Sequence, residues 1–134
     1  MGIYDKNKGS VFLIVIFVIA LMAAVVTGIL QINTEQIQLM RNHIGASKAM
    51  AISEAGLNDA FSRLRNDPNW TDGFSDKSFS GGNYSVTVTG TLPELTLTST
   101  GTTAQSYTTN LEADVTVGSE SPYVVRIDEL RVNE

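Results

Sequence analysis

Few side chains in this sequence are of types that carry chemistry. It contains no cysteine and only one histidine, His43, which excludes a thiolate nucleophile, a disulfide and a multi-histidine metal site. His43 falls within a long helical pattern, where a surface or packing role is expected. The sequence shows no nucleophile elbow, no phosphate-cradling loop and no paired acids with a plausible cleft. We therefore expect a protein that is not an enzyme.

One acidic stretch offers oxygen ligands, and calcium is the only cofactor it suggests. Ca²⁺ takes several carboxylate and amide oxygens from such a loop. The spacing does not match an EF-hand and no Glu closes the site, so an ordinary solvated turn is favoured. The weak calcium candidates are Asp67, Asn69, Asp72 and Asp76. Trp70 and Phe74, from the same loop, are expected to form a hydrophobic plug over the seam between a helix and a sheet.

The charge of the chain bears on its partners. The net charge is −5, and Lys and Arg form no cluster. Phosphate contacts need cations, so direct binding of nucleic acid is not expected.

An uncharged apolar segment runs from Ser10 to Leu30. At ~1.5 Å per residue it makes a helix about 30 Å long, which is the thickness of a bilayer core. The leader before it carries Lys6 and Lys8, which favour a cytoplasmic N-terminus and a C-terminal part outside. A secretory signal peptide has a shorter apolar region. A plain signal anchor fits the hydropathy equally well.

The junction between leader and apolar segment suggests a third interpretation. Residues 8–13 read KGSVFL, which resembles the type III signal of type IV prepilins and pseudopilins. The resemblance implies cleavage between Gly9 and Ser10 by a prepilin peptidase, and N-methylation of Ser10. Gly9 leaves no side chain in the way of an extended, accessible scissile bond. The residues that would enter the filament core are Val11, Phe12, Leu13, Ile14, Val15, Ile16, Phe17 and Leu21.

Ile14 departs from the pattern of most major pilins, which carry Glu at the fifth position after the cut. In the family that carboxylate is thought to pair with the N-terminus of a neighbouring subunit in the apolar filament core, where an unpaired charge is costly. The same lack is seen in the tip pseudopilin of type II secretion and in several minor pilins. Ile14 is therefore a hint of a tip position, or simply a lipid-facing residue.

A second resemblance lies further along the chain. Residues 51–58 read AISEAGLN, which is similar to a stretch common in minor pilins of the PilX type. The two resemblances together cover residues 6–70 well and the remainder loosely.

Helical periodicity continues beyond the apolar segment, because no proline occurs from Gln31 to Asn66. We predict one helix from about Ser10 to about Arg65. Its apolar residues, at spacings of mainly three, four or seven, indicate one face: Ile37, Met40, Ile44, Ala51, Leu57, Ala60, Phe61 and Leu64. Gly45 and Gly56 are expected to allow close packing. For Gly28, packing and local melting during assembly remain equal alternatives.

The chain after Pro68, which ends the helix, alternates with period two. A loop is predicted from Asn69 to Asn83, followed by strands with one buried face. Their apolar residues are Tyr84, Val86 and Val88, then Leu95 and Leu97, then Leu111, Ala113, Val115 and Val117. A fourth run, Pro122 to Val132, changes phase, and a bulge near Glu129 would explain that.

The predicted fold class is α+β, a pilin-like lollipop. One long N-terminal helix, apolar in its first half and amphipathic in its second, packs against an antiparallel sheet of about four strands. The divisions are a leader (1–9), a transmembrane or filament-core helix (10–30), an amphipathic half (31–67), and a loop with the β domain (68–134).

The resemblance implies a structural minor pilin or pseudopilin subunit. Its partners would be other pilin subunits, the prepilin peptidase and the inner-membrane assembly platform. It would lie in the inner membrane before assembly, and then in a pilus or pseudopilus in the periplasm or at the cell surface. The alternative is an unprocessed, membrane-anchored binding or sensory domain.

Overall fold

A computed structural model describes residues 5–133, with side chains from Gly9 onward. It contains one helix and five strands: α1 (Asp5–Asn66), β1 (Phe74–Phe79), β2 (Gly82–Thr91), β3 (Glu94–Thr103), β4 (Thr108–Val117) and β5 (Val125–Asn133). The chain divides into two compact units, of which one ends at Arg41 and the other begins at Asn42. Helix α1 contributes to both units.

The predicted α+β class is confirmed, with five strands rather than about four. The strands form one antiparallel sheet in the order β1-β2-β3-β4-β5, so each strand pairs with its neighbours in sequence. The unpredicted strand is β1, which occupies part of the stretch expected to be a loop. Five of its six residues are exposed, so its sequence carries no alternation of buried and exposed positions to reveal it.

Helix α1 begins earlier than the sequence indicated. It starts at Asp5 rather than near Ser10 and passes through Gly9 without a break. A single glycine costs only about 1 kcal/mol in a helix interior, which does not stop a helix that continues into a long apolar run. The first part of the predicted leader, residues 1–4, lies outside the described residues.

Small residues bring α1 close to the centre of the sheet. Ser53 Oγ donates a hydrogen bond to the carbonyl of Ser99, and Ser99 Oγ donates one to the carbonyl of Ser53, both at 2.7 Å. A Cβ placed on Gly101 of β3 would lie 2.3 Å from the Ala49 carbonyl oxygen. Because the helix and the strand approach so closely, the buried hydroxyls and carbonyls of Ser53 and Ser99 can hydrogen-bond to each other. Longer side chains at this contact would keep the two backbones too far apart for these bonds.

The predicted packing of Gly45 and Gly56 is confirmed. A Cβ on Gly56 would lie 2.3 Å from Ser99 Oγ, and one on Gly45 would lie 2.4 Å from the Tyr107 ring. Tyr107 also donates a hydrogen bond from its hydroxyl to Asn42 Oδ1, at 3.0 Å. These positions need glycine because the sheet side of the helix leaves no room for a side chain.

The helical face that packs on the sheet differs from the predicted one. Leu57, Ala60 and Leu64 are buried and Phe61 is half-buried, as expected. The earlier members of the predicted face are exposed instead: Ile37, Met40, Ile44 and Ala51. At ~100° per residue, Ala51 lies about 160° around the helix from Ser53. The residues that face the sheet include a stripe of small residues: Gly45, Ala49, Ser53 and Gly56.

The strand alternation predicted from sequence is confirmed in β2, β3 and β4. The inward residues that the pattern identified are buried, except Val88, which is half-buried: Tyr84, Val86, Leu95, Leu97, Leu111, Ala113, Val115 and Val117. The predicted bulge in the last strand is also confirmed. Asp114 pairs with Glu129 and Val115 with Ile127, so Asp128 is the extra residue.

Candidate functional site

The predicted processing junction lies on an exposed turn of α1. Gly9 and Ser10 are both exposed, and a Cβ on Gly9 would meet nothing within 4 Å. The junction is therefore sterically open, but its backbone is helical rather than extended. A peptidase that needs an extended strand would have to unwind this turn, and Gly9 lowers the cost of unwinding by about 1 kcal/mol relative to alanine.

The apolar segment Ser10–Leu30 is exposed along its whole length except at Gly28, which is half-buried. Thr27 donates its hydroxyl to the Ala23 carbonyl at 2.8 Å, so its polar group is satisfied within the helix. By length and composition this helix is a candidate membrane span, a property that an N-terminal signal sequence shares. A helix that is apolar on every side requires a membrane or neighbouring proteins around it.

The predicted filament-core residues all belong to this exposed segment, with no buried member among them: Val11, Phe12, Leu13, Ile14, Val15, Ile16, Phe17 and Leu21. A Cβ added to Gly28, near the end of the segment, would meet nothing within 4 Å. Packing against another part of the described chain therefore does not explain Gly28.

The weak calcium candidates do not form a common site. Among the described residues, no group of three or more His, Asp or Glu side chains is placed to hold a metal ion. Asp67 accepts a hydrogen bond from the Asn69 amide in a turn just after the helix. Asp76 lies on β1 and accepts a hydrogen bond from Asn83 instead. Strand β1 thus separates residues that the sequence had placed in one loop.

The aromatic residues after the helix form the predicted plug. The rings of Trp70 and Phe74 lie 5.0 Å apart, and Phe74 meets Tyr84 edge-on at 6.0 Å. Trp70 and Phe74 are half-buried against the core, so their role is packing. His43 is exposed on the helix, in agreement with the expected surface role.

An ion pair joins α1 to the β1 side of the sheet. Asp59 accepts hydrogen bonds from the Lys77 ammonium and from the Tyr84 hydroxyl, the latter at 2.7 Å. Partial burial raises the pKa of Asp59, but the hydrogen bonds from Lys77 and Tyr84 outweigh it and hold that pKa below its usual value. Burial and the hydrogen bond to Asp59 raise the pKa of Tyr84. The three groups lock helix to sheet and leave no free nucleophile.

A shallow depression of about 650 Å³ lies on the outer face of the sheet, lined in part by Asp114, Thr116, Arg126 and Asp128. Several of its polar groups bond to one another. Thr96 donates to Asp114 at 2.7 Å, and Arg126 donates to Asp128 at 2.7 Å. In the described part of the chain, no buried side-chain nitrogen or oxygen lacks a hydrogen-bond partner.

An exposed apolar face on β5 was not predicted from the sequence. Its apolar residues pair across the strands with buried residues of β4, so they lie on the core side of the sheet, yet Ile127, Leu130 and Val132 are 50%, 54% and 45% exposed. The signal in the sequence was the change of phase that indicated the bulge. The periodicity of the sequence indicates that β5 has one apolar side. It does not indicate that α1 leaves that side uncovered.

Comparisons of this chain with protein-family models, with curated proteins and with solved structures found no match. Function is therefore inferred from the residues and the geometry described above.

Proposed function

We propose that this chain is a structural subunit of a type IV pilus or a type II secretion pseudopilus. The observation that supports the proposal most strongly is the exposed apolar segment Ser10–Leu30, which belongs to the same helix that begins the folded unit at Asn42. Such a segment is stable in a lipid bilayer or in a bundle of like helices. A subunit that moves from the membrane into a filament needs both environments.

The processing step fits the same proposal. The peptidase would cut between Gly9 and Ser10, and Ser10 would become the methylated N-terminus. Both residues are exposed. Before cleavage the chain would lie in the inner membrane with its N-terminus in the cytoplasm and the sheet outside, and the assembly platform would then extract it. Ile14 offers no carboxylate to a neighbouring N-terminus, which favours a position at or near the filament tip.

The mass of the mature N-terminus tests this function directly. In native cells we expect a peptide that begins at Ser10, heavier by one methyl group, and an intact leader in cells that lack the prepilin peptidase. An intact leader in both strains would contradict the proposal.

A matched pair of glycine variants controls for effects on expression. Gly9→Val places a β-branched side chain at the scissile bond and should retain the leader. Gly2→Val introduces the same side chain elsewhere in the leader and should leave cleavage unchanged. Equal cleavage of both variants would show that Gly9 is not at the cut.

A membrane-anchored domain that is never processed is the alternative function. The unbroken helix through Gly9 and Ser10 favours it, because a helical bond is a poor protease substrate until it unwinds. The same mass measurement decides between the two, since the anchored domain keeps its leader in every strain.

A further inference from the structure

The last strand of the sheet has an apolar side and a charged side. Its apolar residues Val125, Ile127, Leu130 and Val132, here named the β5 inner face, pair with the buried β4 residues Val117, Val115, Ala113 and Leu111. Directly paired residues point to the same side of a sheet. The β5 inner face therefore continues the surface on which α1 packs.

The bulge at Asp128 keeps this arrangement intact. Without an extra residue, Ile127 and Leu130 would fall on opposite sides of the strand, because successive residues alternate. The extra residue shifts the alternation by one position, so Val125 and Ile127 before the bulge lie on the same side as Leu130 and Val132 after it. A strand that keeps four apolar residues aligned across an insertion has a side that requires burial.

The charged residues of β5 are engaged on the opposite side. Arg131 binds Glu112 and Asp114, and Arg126 binds Asp128. The β5 inner face itself carries no charge, and the two Arg of the strand are matched by Asp128 and Glu129. A membrane-surface site would show an excess of Lys or Arg, so this composition favours a protein partner over lipid.

The partner must lie across the face rather than along the strand edge. Pairing two β5 edges would satisfy backbone groups, but it would leave Ile127, Leu130 and Val132 exposed on the side of the sheet. An apolar sheet face is normally covered by a helix. Within this chain, the helical surface that is apolar on every side is Ser10–Leu30, and it too has no cover among the described residues.

We propose that the β5 inner face binds the apolar helix segment Ser10–Leu30 of a neighbouring copy of this chain. This inference rests on the proposed function, because the segment is available to another subunit only after it leaves the membrane. The two surfaces differ in structure, so the contact is heterologous. A heterologous contact that does not close into a ring extends into a filament.

Cysteine cross-linking in native cells tests the contact, because the chain contains no cysteine of its own. Two differently tagged full-length copies are expressed together. One carries Leu130→Cys, and the other carries one cysteine at each position from Val11 to Ile29 in turn. We expect heterodimers on non-reducing gels at a cluster of positions spaced by three or four, because one helical side would face the strand.

The matched control moves the cysteine to the other side of the same strand. Arg126→Cys, scanned against the same positions, should give no heterodimer. Three outcomes would contradict the proposal. The two strand positions could cross-link equally, neither could cross-link, or Leu130→Cys could cross-link only to a second Leu130→Cys chain. Cross-linking of Leu130→Cys only to a different protein would also contradict it.

A charge variant gives a second readout. Leu130→Glu should reduce cross-links made through Ile127→Cys at least tenfold, whereas Arg126→Glu should leave them unchanged. The fluorescence of Trp70, the single tryptophan, reports that each variant is folded. The N-terminal mass from the same cells separates two kinds of failure. A chain that starts at Ser10 without cross-links contradicts this inference alone, whereas a retained leader contradicts the proposed function.

Discussion

At the scale of single residues, small side chains and one ion pair hold α1 on the sheet. Ser53 and Ser99 exchange buried hydrogen bonds at 2.7 Å, and Gly56 leaves the space that Ser99 Oγ occupies. On the flank towards β1, Lys77 and Tyr84 bind Asp59. A substitution at each of these contacts should therefore change the stability of the folded unit in a direction that the structure predicts.

Gly56→Ala should destabilise the folded unit. Alanine normally gains about 1 kcal/mol over glycine in a helix, but here its Cβ would displace Ser99 Oγ and break a buried hydrogen bond. That loss is about 1–3 kcal/mol, so we expect a lower denaturation midpoint by Trp70 fluorescence. Gly28→Ala meets open space and should leave that midpoint unchanged. A higher midpoint for Gly56→Ala would contradict this tight packing against Ser99.

Asp59 should make stability depend on pH in the acid range. Its folded pKa lies below its usual value, so its contribution is present above the unfolded pKa of about 3.9 and is lost as pH falls through the folded pKa. Asp59→Asn should therefore unfold at lower temperature than the parent chain at pH 7. The difference should shrink below about pH 4.

The control for Asp59 is Glu54→Gln, because Glu54 is an exposed acid on the same helix. It should change the unfolding temperature little at either pH. A difference for Asp59→Asn that persists unchanged at low pH would show that the hydrogen-bonded carboxylate is not its cause.

At the scale of elements, α1 meets different surroundings along its length. Its segment Ser10–Leu30 is apolar and exposed, whereas residues from Gly45 to Leu64 contribute a buried stripe to the core. Helical propensity alone does not maintain either part. The first part depends on a membrane or on neighbouring helices, and the second depends on the sheet.

Leu21→Arg should impair membrane insertion, because Leu21 lies near the middle of the apolar segment. An Arg at the centre of a membrane helix costs about 2.5–3.5 kcal/mol. We expect a smaller fraction of the chain to resist carbonate extraction. Gln31→Arg, just beyond the segment, should extract like the parent. Equal extraction of both variants would contradict a membrane-spanning role for Ser10–Leu30.

At the scale of the whole molecule, the two compact units should respond separately to substitution. Leu97 is fully buried in the second unit. Leu97→Ala should lower its free energy of unfolding by about 2–5 kcal/mol while leaving the carbonate-resistant fraction unchanged. Thr98→Ala, on the outer side of β3, is the control. Loss of membrane retention in Leu97→Ala would show that the units depend on each other.

The sequence determined the elements whose patterns are strong and local. The absence of charge from Ser10 to Leu30 and of proline before Asn66 predicted the long helix, and strict alternation predicted the inward residues of β2, β3 and β4. A change of phase predicted the bulge at Asp128 within one residue. These features follow from side-chain periodicity, which is fixed by the chain itself.

Tertiary structure alone decided which surfaces are covered. The helix turned the stripe Gly45, Ala49, Ser53 and Gly56 to the sheet and left Ile44 and Ala51 exposed, because the small residues of that stripe allow the close approach and the Ser53–Ser99 hydrogen bonds. Strand β1, exposed along most of its length, forms by pairing with β2 and not from any pattern of its own. The exposure of the β5 inner face depends on how far α1 reaches across the sheet, which no local pattern encodes.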